Sequence, residues 1–342
     1  MLVVNAGSSS LKLALFEGLR VMAQARFERI GTGGPADHLA ALRAGLDEIG
    51  VAAGELTAAA HRVVHGGARF TQACRITADV VAGIAACVAL APLHNPANLT
   101  GIHALAALAP DLAQYASFDT AFHATNPAVA VRYAVSDVAA AAGIRRYGFH
   151  GLSYAALVRK VKEMQGGTVP KRLLALHLGN GASLCAILNG QSVATTMGYS
   201  PLSGLTMGTR AGDIDGNAVL RLAELHGIAG ATRMLNRESG LVALGGHSDM
   251  RALHAAGADF AVQHFCYWAI RHAGSMIAAM GGLDAMAFTG GIGENDAEMR
   301  EAIEQGLRWA GDVPVWIIPA EEERQIALEA FDVMATEIGS VP

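Results

Sequence analysis

One pattern, written twice, most constrains what this chain can fold into. Leu2 to Leu15 reads LVVNAGSSSLKLAL, an apolar run that stops at Asn5-Ala6-Gly7-Ser8-Ser9-Ser10 and resumes around Lys12. Apolar runs of this length interrupted by Gly and Ser predict a strand, a turn and a second strand. Around Leu174 to Asn189 the chain reads LALHLGNGASLCAILN, and matching Leu11 to Leu184 (an offset of 173) also pairs Ser10 with Ser183, Val3 with Leu176 and Leu15 with Leu188. The match is short, and it supports a duplicated lobe without establishing one. At 342 residues the chain exceeds the size at which a single hydrophobic core stops growing, so two lobes with a cleft between them are expected.

The first turn has the chemistry of a phosphate site. Small residues let backbone N–H groups approach an anion, the Ser8 and Ser10 hydroxyls add donors, and Lys12 on the return strand can set a point charge on a phosphoryl oxygen. The order differs from a Walker loop, which ends in Gly-Lys-Ser/Thr and opens a helix. A Gly/Ser link is equally the material of a plain hairpin, and this segment alone leaves both readings open. A third glycine cluster, FTGGIGEN at 288–295, falls between a strand pattern and a helix pattern, where N–H groups and the positive helix end attract anions. Agreement among three clusters favours nucleotide binding over three unrelated turns.

Elsewhere the pattern alternates. Leu39, Leu42, Leu46 and Ile49 predict an amphipathic helix after the loop Gly31 to Pro35; HRVVHGG at 61–67 predicts a strand running into a glycine turn. APLHNPAN at 91–98 reads as a loop opening a helix near Leu99, and Tyr115 to Phe118 as a strand ending at Asp119. Tyr154, Leu157, Val161 and Met164 mark a helix before a strand pair at 172–188; Met286 to Thr289 reads as a buried strand into a glycine turn, followed by a helix from about Asp296, a strand at 313–318 and a closing helix from Glu321. Hairpins followed by alternating helices and strands make this α/β with mixed sheets.

Composition narrows the class. With 52% hydrophobic and 16% charged residues and a net charge of −5, the chain is a packed globular protein with no basic stripe for nucleic acid. Cys74, Cys87, Cys185 and Cys266 form no C-x-x-C pair and indicate neither zinc nor a disulfide framework. Strand-like LVVN at the N-terminus is unlike a secretory signal, and the longest apolar helix candidate, Phe260 to Met280, carries Gln263, His264, Arg271 and His272 and is no membrane span. A cytoplasmic protein with small-molecule partners is expected.

The polar residues at strand ends are Arg62, Asp119, His150, His177, Arg210, Asp213 and Asp215. Each alone has an ordinary explanation as a surface charge or a packed histidine. TMGTRAGDIDG at 206–216 does not, because an arginine enclosed by small residues and followed by two aspartates suits neither a core nor an amphipathic helix. The blocks NAGSSSLK, HRVVHGG, PLHNPANL, FDTAFH, YGFHG, HLGNGAS, MGTRAGDID and FTGGIGEN, in this order and over nearly the whole chain, resemble the acetate kinase family of the acetate and sugar kinase, heat-shock protein and actin superfamily.

That resemblance implies a two-lobed actin-like ATPase (ribonuclease H-like) fold with duplicated mixed-sheet domains around a nucleotide cleft, and a homodimer. One lobe would take residues 1–120 plus 320–342 and the other 121–319. The activity implied is Mg²⁺-dependent phosphoryl transfer from ATP to acetate. By resemblance, Asn5 and Glu322 would hold Mg²⁺, Lys12, Ser8 and Ser10 would meet ATP phosphates, and Arg62 would bind the small carboxylate. His150 and Arg210 would stabilise the transition state, with Asp119 at the catalytic centre as an orienting or metal-shell group. Val64, Leu93, Phe149 and Pro201 would surround the acetate methyl. The nucleotide would lie on His177, Leu178, Gly179, Asn180 and Gly181, on Asp249, Met250 and Arg251, and on Gly291, Ile292, Gly293, Glu294 and Asn295.

The chemistry supports these roles independently. A carboxylate nucleophile with a pKa near ~4 is ionised at pH 7 and needs no general base. It needs cations to approach a second anion, and Arg62 and Arg210 supply them; their alanine variants should each lose most turnover with the fold intact. Propionate and butyrate stay open as acceptors, since one methylene shifts preference by only ~1–3 kcal/mol. A sugar kinase needs an aspartate base and not two arginines, while an actin- or chaperone-like ATPase and a degenerate paralogue are the remaining alternatives. The chain also departs from the family in being short, with Leu152, Tyr154, Asn126, Ser203 and Gly216 where other residues are usual.

Overall fold

The structure, a computed structural model, describes residues 1–339; the lobe expected over 1–120 and 320–342 also took in 340–342, which lie outside the described residues. The described chain divides into two compact units, Met1–Ala124 with the C-terminal stretch from Glu321, and Thr125–Ala320.

In the first unit the N-terminal hairpin is β1 (Leu2–Ala6) and β2 (Ser10–Glu17). It continues into β3 (Arg20–Glu28), a strand not expected from the sequence. Its signal was Val21, Ala23, Ala25 and Phe27 at period two. With β4 (Ala59–Val63), the two-residue β5 (Cys74–Arg75) and β6 (Gln114–Phe118), these strands make one sheet in the order β3-β2-β1-β4-β6-β5. The first three form an antiparallel meander, and β1, β4 and β6 are parallel.

Side chains alternate across a sheet. Leu2, Val4 and Ala6, with their partners Leu15, Leu13 and Leu11, face helices His38–Ile49 and Asn95–Leu108 and form the core there. The helix Glu322–Gly339 packs on β1, β4 and β6, where the Tyr115 hydroxyl donates to Glu337 at 2.9 Å. Helix His38–Ile49 is capped by Asp37, which accepts the Ala40 N–H at 2.7 Å, and stopped by Gly50 at φ 76. Helix Asn95–Leu108 starts four residues before the expected Leu99. Pro96 stands in its first turn, where a missing N–H has no intrahelical partner to lose.

The second unit repeats the plan. β7 (Arg172–Leu178), β8 (Ala182–Leu188) and β9 (Gln191–Thr195) form an antiparallel meander, and β10 (Ala285–Thr289) and β11 (Val315–Ile317) extend it in parallel from β7, giving β11-β10-β7-β8-β9. The duplication is therefore present in strand order. The constant offset is not: the turn between the last paired residues holds four residues in the first hairpin (between Ala6 and Leu11) and three in the second (between Leu178 and Ala182). Helix Asp259–Met280 buries Phe265, Ala269, Ala273 and Ile277 against β7, β8 and β9. Gly290–Asn295, expected as a turn, is a short helix whose first N–H is taken by the Glu294 carboxylate at 3.0 Å.

All four cysteines are free thiols. No helix among the described residues is long and apolar enough to cross a membrane.

Candidate active site

Strand register assembles a polar row in the first unit. Lys12 pairs with Asn5, Val4 lies opposite His61 so that Asn5 falls beside Arg62, and Arg62 pairs with Ser117. Lys12, Asn5, Arg62 and Ser117 thus share one face near the carboxyl ends of the parallel strands, where open α/β sheets bind ligands. Asp119 follows β6 directly, its N–H held by the Val63 carbonyl at 3.0 Å.

Arg62 is fixed by that aspartate. Its Nε donates to Asp119 Oδ1 at 3.0 Å and its Nη2 to Oδ2 at 2.6 Å, a bidentate pair, while Nη1 points at Asn5 Oδ1 (3.5 Å) and Glu322 Oε2 (3.9 Å). Burial works against charge on Arg62, and the Asp119 and Glu322 carboxylates more than reverse this, holding the guanidinium above its ordinary range. At Asp119, only 2% exposed, burial raises the carboxyl and Arg62 pulls it back. Both Asp119 oxygens are occupied, which suits an orienting group and not a proton acceptor.

Two asparagines fix the loop after β4. Asn98 Oδ1 accepts the Val64 N–H at 3.1 Å and its Nδ2 donates to the Ala6 carbonyl at 2.8 Å, so one side chain ties the ends of β1 and β4. Asn95 accepts from His65 N–H and donates to the His65 carbonyl, at 3.1 and 3.0 Å. Both asparagines are buried. Neither carries an expected role from the sequence; two asparagines three apart in an apolar segment were the available signal. In the first turn the Gly7 N–H meets the Ser10 carbonyl at 2.8 Å, Ser8 is exposed and Ser10 partly so. Val64 is buried and Leu93 half-buried in this unit.

The second sheet carries a matching row, Ser183, His177 and Thr289. His150, which precedes helix Gly151–Met164, sits at φ 59, a left-handed conformation uncommon for histidine and concentrated at functional sites. Its ring stacks on His177 with centroids 4.2 Å apart, and its Nδ1 lies 2.9 Å from Ser183 Oγ. Ser153 Oγ meets His177 Nδ1 at 2.8 Å, and the Tyr154 hydroxyl lies 2.5 Å from Ser183 Oγ.

Arg210 converges on the same place. A methyl group built on Gly181 would stand 2.7 Å from Arg210 Nη2 and 3.1 Å from His150 Nε2, so both groups lie against this glycine. The loop is tight: Met207 N–H bonds the Arg210 carbonyl at 3.1 Å, and Gly240, at φ 70, lies against Met207 and Arg210 where a side chain would collide. Arg210 Nη1 donates to the Pro201 carbonyl at 2.5 Å and has no carboxylate partner among the described residues. Burial, with nothing to offset it, pulls its guanidinium down to about 10. Phe149, on the chain entering His150, is buried, and Pro201 is half-buried.

Beside these groups the glycine loops line a cavity of about 770 Å³. Gly179, Asn180, Asp249, Met250, Arg251, Gly291, Ile292 and Asn295 line it, as do Ser248, His254 and Asp296, which sequence reasoning missed. Asp249 caps helix Met250–Ala255 through the Ala252 N–H (3.2 Å), and His254 Nε2 meets Asp296 Oδ2 at 2.9 Å. Five expected nucleotide residues of this unit stand off the cavity wall, Gly181 among them, which lies against Arg210 and His150. Leu178 points into the core, fully buried; Gly293 is buried against Phe288; Glu294 is turned back onto Gly290 and Ala320 N–H groups at 3.0 Å; His177 belongs to the cluster around His150.

The candidate metal donors, Asn5 and Glu322, are an amide and a carboxylate aimed at one guanidinium nitrogen. Among the described residues no group of three or more His, Cys, Asp or Glu side chains is placed to hold a metal. Two hard oxygen donors fit an ion that keeps most of its shell for water and phosphate oxygens, as Mg²⁺ does.

Residues 1–313 match the profile of the acetokinase family. An acetate kinase of Stutzerimonas stutzeri is 41% identical, covering 97% of this chain and 98% of its own, in an alignment of 389 positions that exceeds the 342 residues present here. The crystal structure of Porphyromonas gingivalis acetate kinase superposes with a TM-score of 0.88 at 34% identity over 97% of this chain and 99% of that one. A propionate kinase from Francisella tularensis gives 0.90 at 34% identity over 96% and 98%. With the profile spanning most of its length and relatives aligned from end to end, the chain belongs to the acetokinase family.

Proposed function

We propose that this protein is an acetate kinase: it moves the terminal phosphoryl group of ATP directly and reversibly onto acetate, giving acetyl phosphate and ADP. The observation that carries the reading is Arg210, a half-buried guanidinium with no carboxylate partner among the described residues, set with His150 against a glycine loop. A cation withdrawn from water without a counter-charge is costly, and a bound anion relieves that cost.

The carboxylate acceptor arrives ionised, and Arg62, locked side-on by Asp119, offers its remaining N–H groups to it. Asp119 accepts no proton in this scheme. Arg210 neutralises charge on the phosphoryl oxygens and the His150 Nε2 side hydrogen-bonds them, the step from which phosphoryl-transfer enzymes draw most of their rate. ATP and ADP occupy the 770 Å³ cavity, with the Gly179 and Gly291 loops toward the phosphates and Asp249 to Arg251 toward the nucleoside. Lys12 with Ser8 and Ser10 serves the phosphate side in the first unit. Asn5 and Glu322 would hold Mg²⁺, which when bound neutralises phosphate charge. By resemblance to the family, Val64 and Leu93 of the first unit and Phe149 and Pro201 of the second are the apolar residues that would favour a small alkyl group.

We also propose a homodimer. Leu220, Leu225 and Ile228 on Gly216–Arg237 and Phe260 and Tyr267 on Asp259–Met280 are all more than half exposed, an apolar surface of the kind that self-association covers. We also propose a cytoplasmic location, where an enzyme of this kind would meet ATP.

Propionate is the second reading, favoured by the likeness to a propionate kinase. One experiment separates these: trapping acyl phosphate with hydroxylamine in the presence of ATP, Mg²⁺ and acetate, propionate, butyrate or no acid. Trapped product with acetate is expected. Product with only the longer acids shifts the substrate, and ATP hydrolysis indifferent to every acid refutes the kinase reading.

A further inference from the structure

Tyr154 lies one helical turn beyond His150, fully buried, and its aromatic body would be as well accommodated as phenylalanine. Its hydroxyl makes a chain of two hydrogen bonds: Tyr154 to Ser183 Oγ at 2.5 Å, then Ser183 Oγ to His150 Nδ1 at 2.9 Å. The phenol sets the direction. Burial holds it well above its ordinary range, so it keeps its proton and directs it at Ser183, the hydroxyl 2.5 Å away. Ser183 has one proton and passes it to Nδ1, which must then be a bare acceptor. The ring proton is left on Nε2, the nitrogen that faces Gly181 beside Arg210 Nη2.

We propose that Tyr154 is a positioning residue that, through Ser183, holds His150 in the Nε2–H tautomer, so that it offers a neutral N–H donor to the phosphoryl group in transfer. This rests on the phosphotransfer reading above. A neutral donor adds a hydrogen bond without setting a second full charge beside Arg210. The left-handed backbone at His150 and the stack on His177 fix the ring plane; Tyr154 and Ser183 fix which nitrogen bears hydrogen. Tautomer control of this kind is worth large factors in rate where a histidine faces the reacting group.

The test is ¹⁵N NMR of the histidine rings in the full-length protein without substrate, with His150 assigned by the resonance lost in His150→Asn. The wild type should show Nε2–H at neutral pH. In Tyr154→Phe the single state should give way to a mixture, with kcat for acyl phosphate down about three- to tenfold and both KM values within about twofold. Ser183→Ala cuts the same chain one bond nearer His150 and serves if Tyr154→Phe does not fold. A wild-type ring protonated on Nδ1, or a Tyr154→Phe protein with unchanged ring state and kcat, overturns the proposal. The ring state is read without turnover, so a wild type that makes no acyl phosphate would refute the kinase reading separately.

Discussion

Gly181→Ala isolates the geometry of the charge-stabilising groups without touching their chemistry. The added methyl would stand 2.7 Å from Arg210 Nη2 and 3.1 Å from His150 Nε2, whereas ordinary contact begins at 3.4 Å, so the guanidinium must retreat by about 0.7 Å and the imidazole by about 0.3 Å. A long side chain could usually swing aside. Arg210 is held at both ends, by the Pro201 carbonyl at Nη1 and by the Met207–Arg210 turn against Gly240, so the displacement passes into the position of the donors. A misplacement of ~1 Å costs ~10²-fold in rate, so kcat should fall about 10- to 100-fold. Gly181 has no left-handed φ, so the backbone accepts alanine, and the overpacking should cost about 1–3 kcal/mol of stability. The assay is hydroxylamine-trapped acyl phosphate beside a urea melt. A folded Gly181→Ala protein with kcat within about threefold of wild type would refute the convergence of Arg210 and His150 on this glycine.

Further outcomes follow from burial. Asn98→Ala strips the Val64 N–H and the Ala6 carbonyl of their buried partner and should cost about 2–6 kcal/mol in urea unfolding, at ~1–3 kcal/mol per group. Arg62→Ala should lose turnover by ~10³-fold and also, contrary to the expectation of an intact fold, about 3–5 kcal/mol of stability, because Asp119 is left as a buried unpaired carboxylate. Burial raises that carboxyl, so the folded variant binds its proton more tightly than the unfolded chain does. The deficit should therefore be full near neutral pH and shrink as pH falls toward the ordinary 3.8; a deficit independent of pH would exclude this cause. Arg210→Ala should lose turnover with stability unchanged or raised, since no carboxylate is orphaned. His61, buried and bonded to Gln114 at 2.7 Å, is lowered from 6.5 to about 4 by burial. The unfolded chain takes up this proton first on acidification, so about 3 kcal/mol should be lost between pH 6.5 and 4, and His61→Gln should flatten that slope in denaturant melts.

Much of the framework is legible because it follows from period and punctuation. The hairpins, the helix at 38–49 and the buried strand at 285–289 are set by local alternation and by Asp37, Gly50 and the glycine clusters. The failures have local causes. β3 is an edge strand, half exposed, and its alternation is blurred by Met22; the helix at Asn95 was hidden by a proline that its first turn accommodates. The hairpin register depends on turn length, which apolar matching does not resolve. At the site, charged residues announced themselves, whereas Asn98, Ser183, Tyr154 and Gly240 act only through neighbours 29 to 92 positions distant or through a positive φ. Their partners exist only after folding.

The two polar rows impose a rule on natural variation. A sheet side chain's face depends on parity, so removing one residue from the four-residue turn at Gly7–Ser10 would slide β2 past β1 and send Lys12 into the helix-packed layer, with a leucine in its place. The three-residue turn at Gly179–Gly181 guards Ser183 in the same way. Homologous chains can therefore gain or shed whole peripheral segments, as the longer alignments with relatives require, while an insertion or deletion of a single residue in either turn would be lethal to the enzyme.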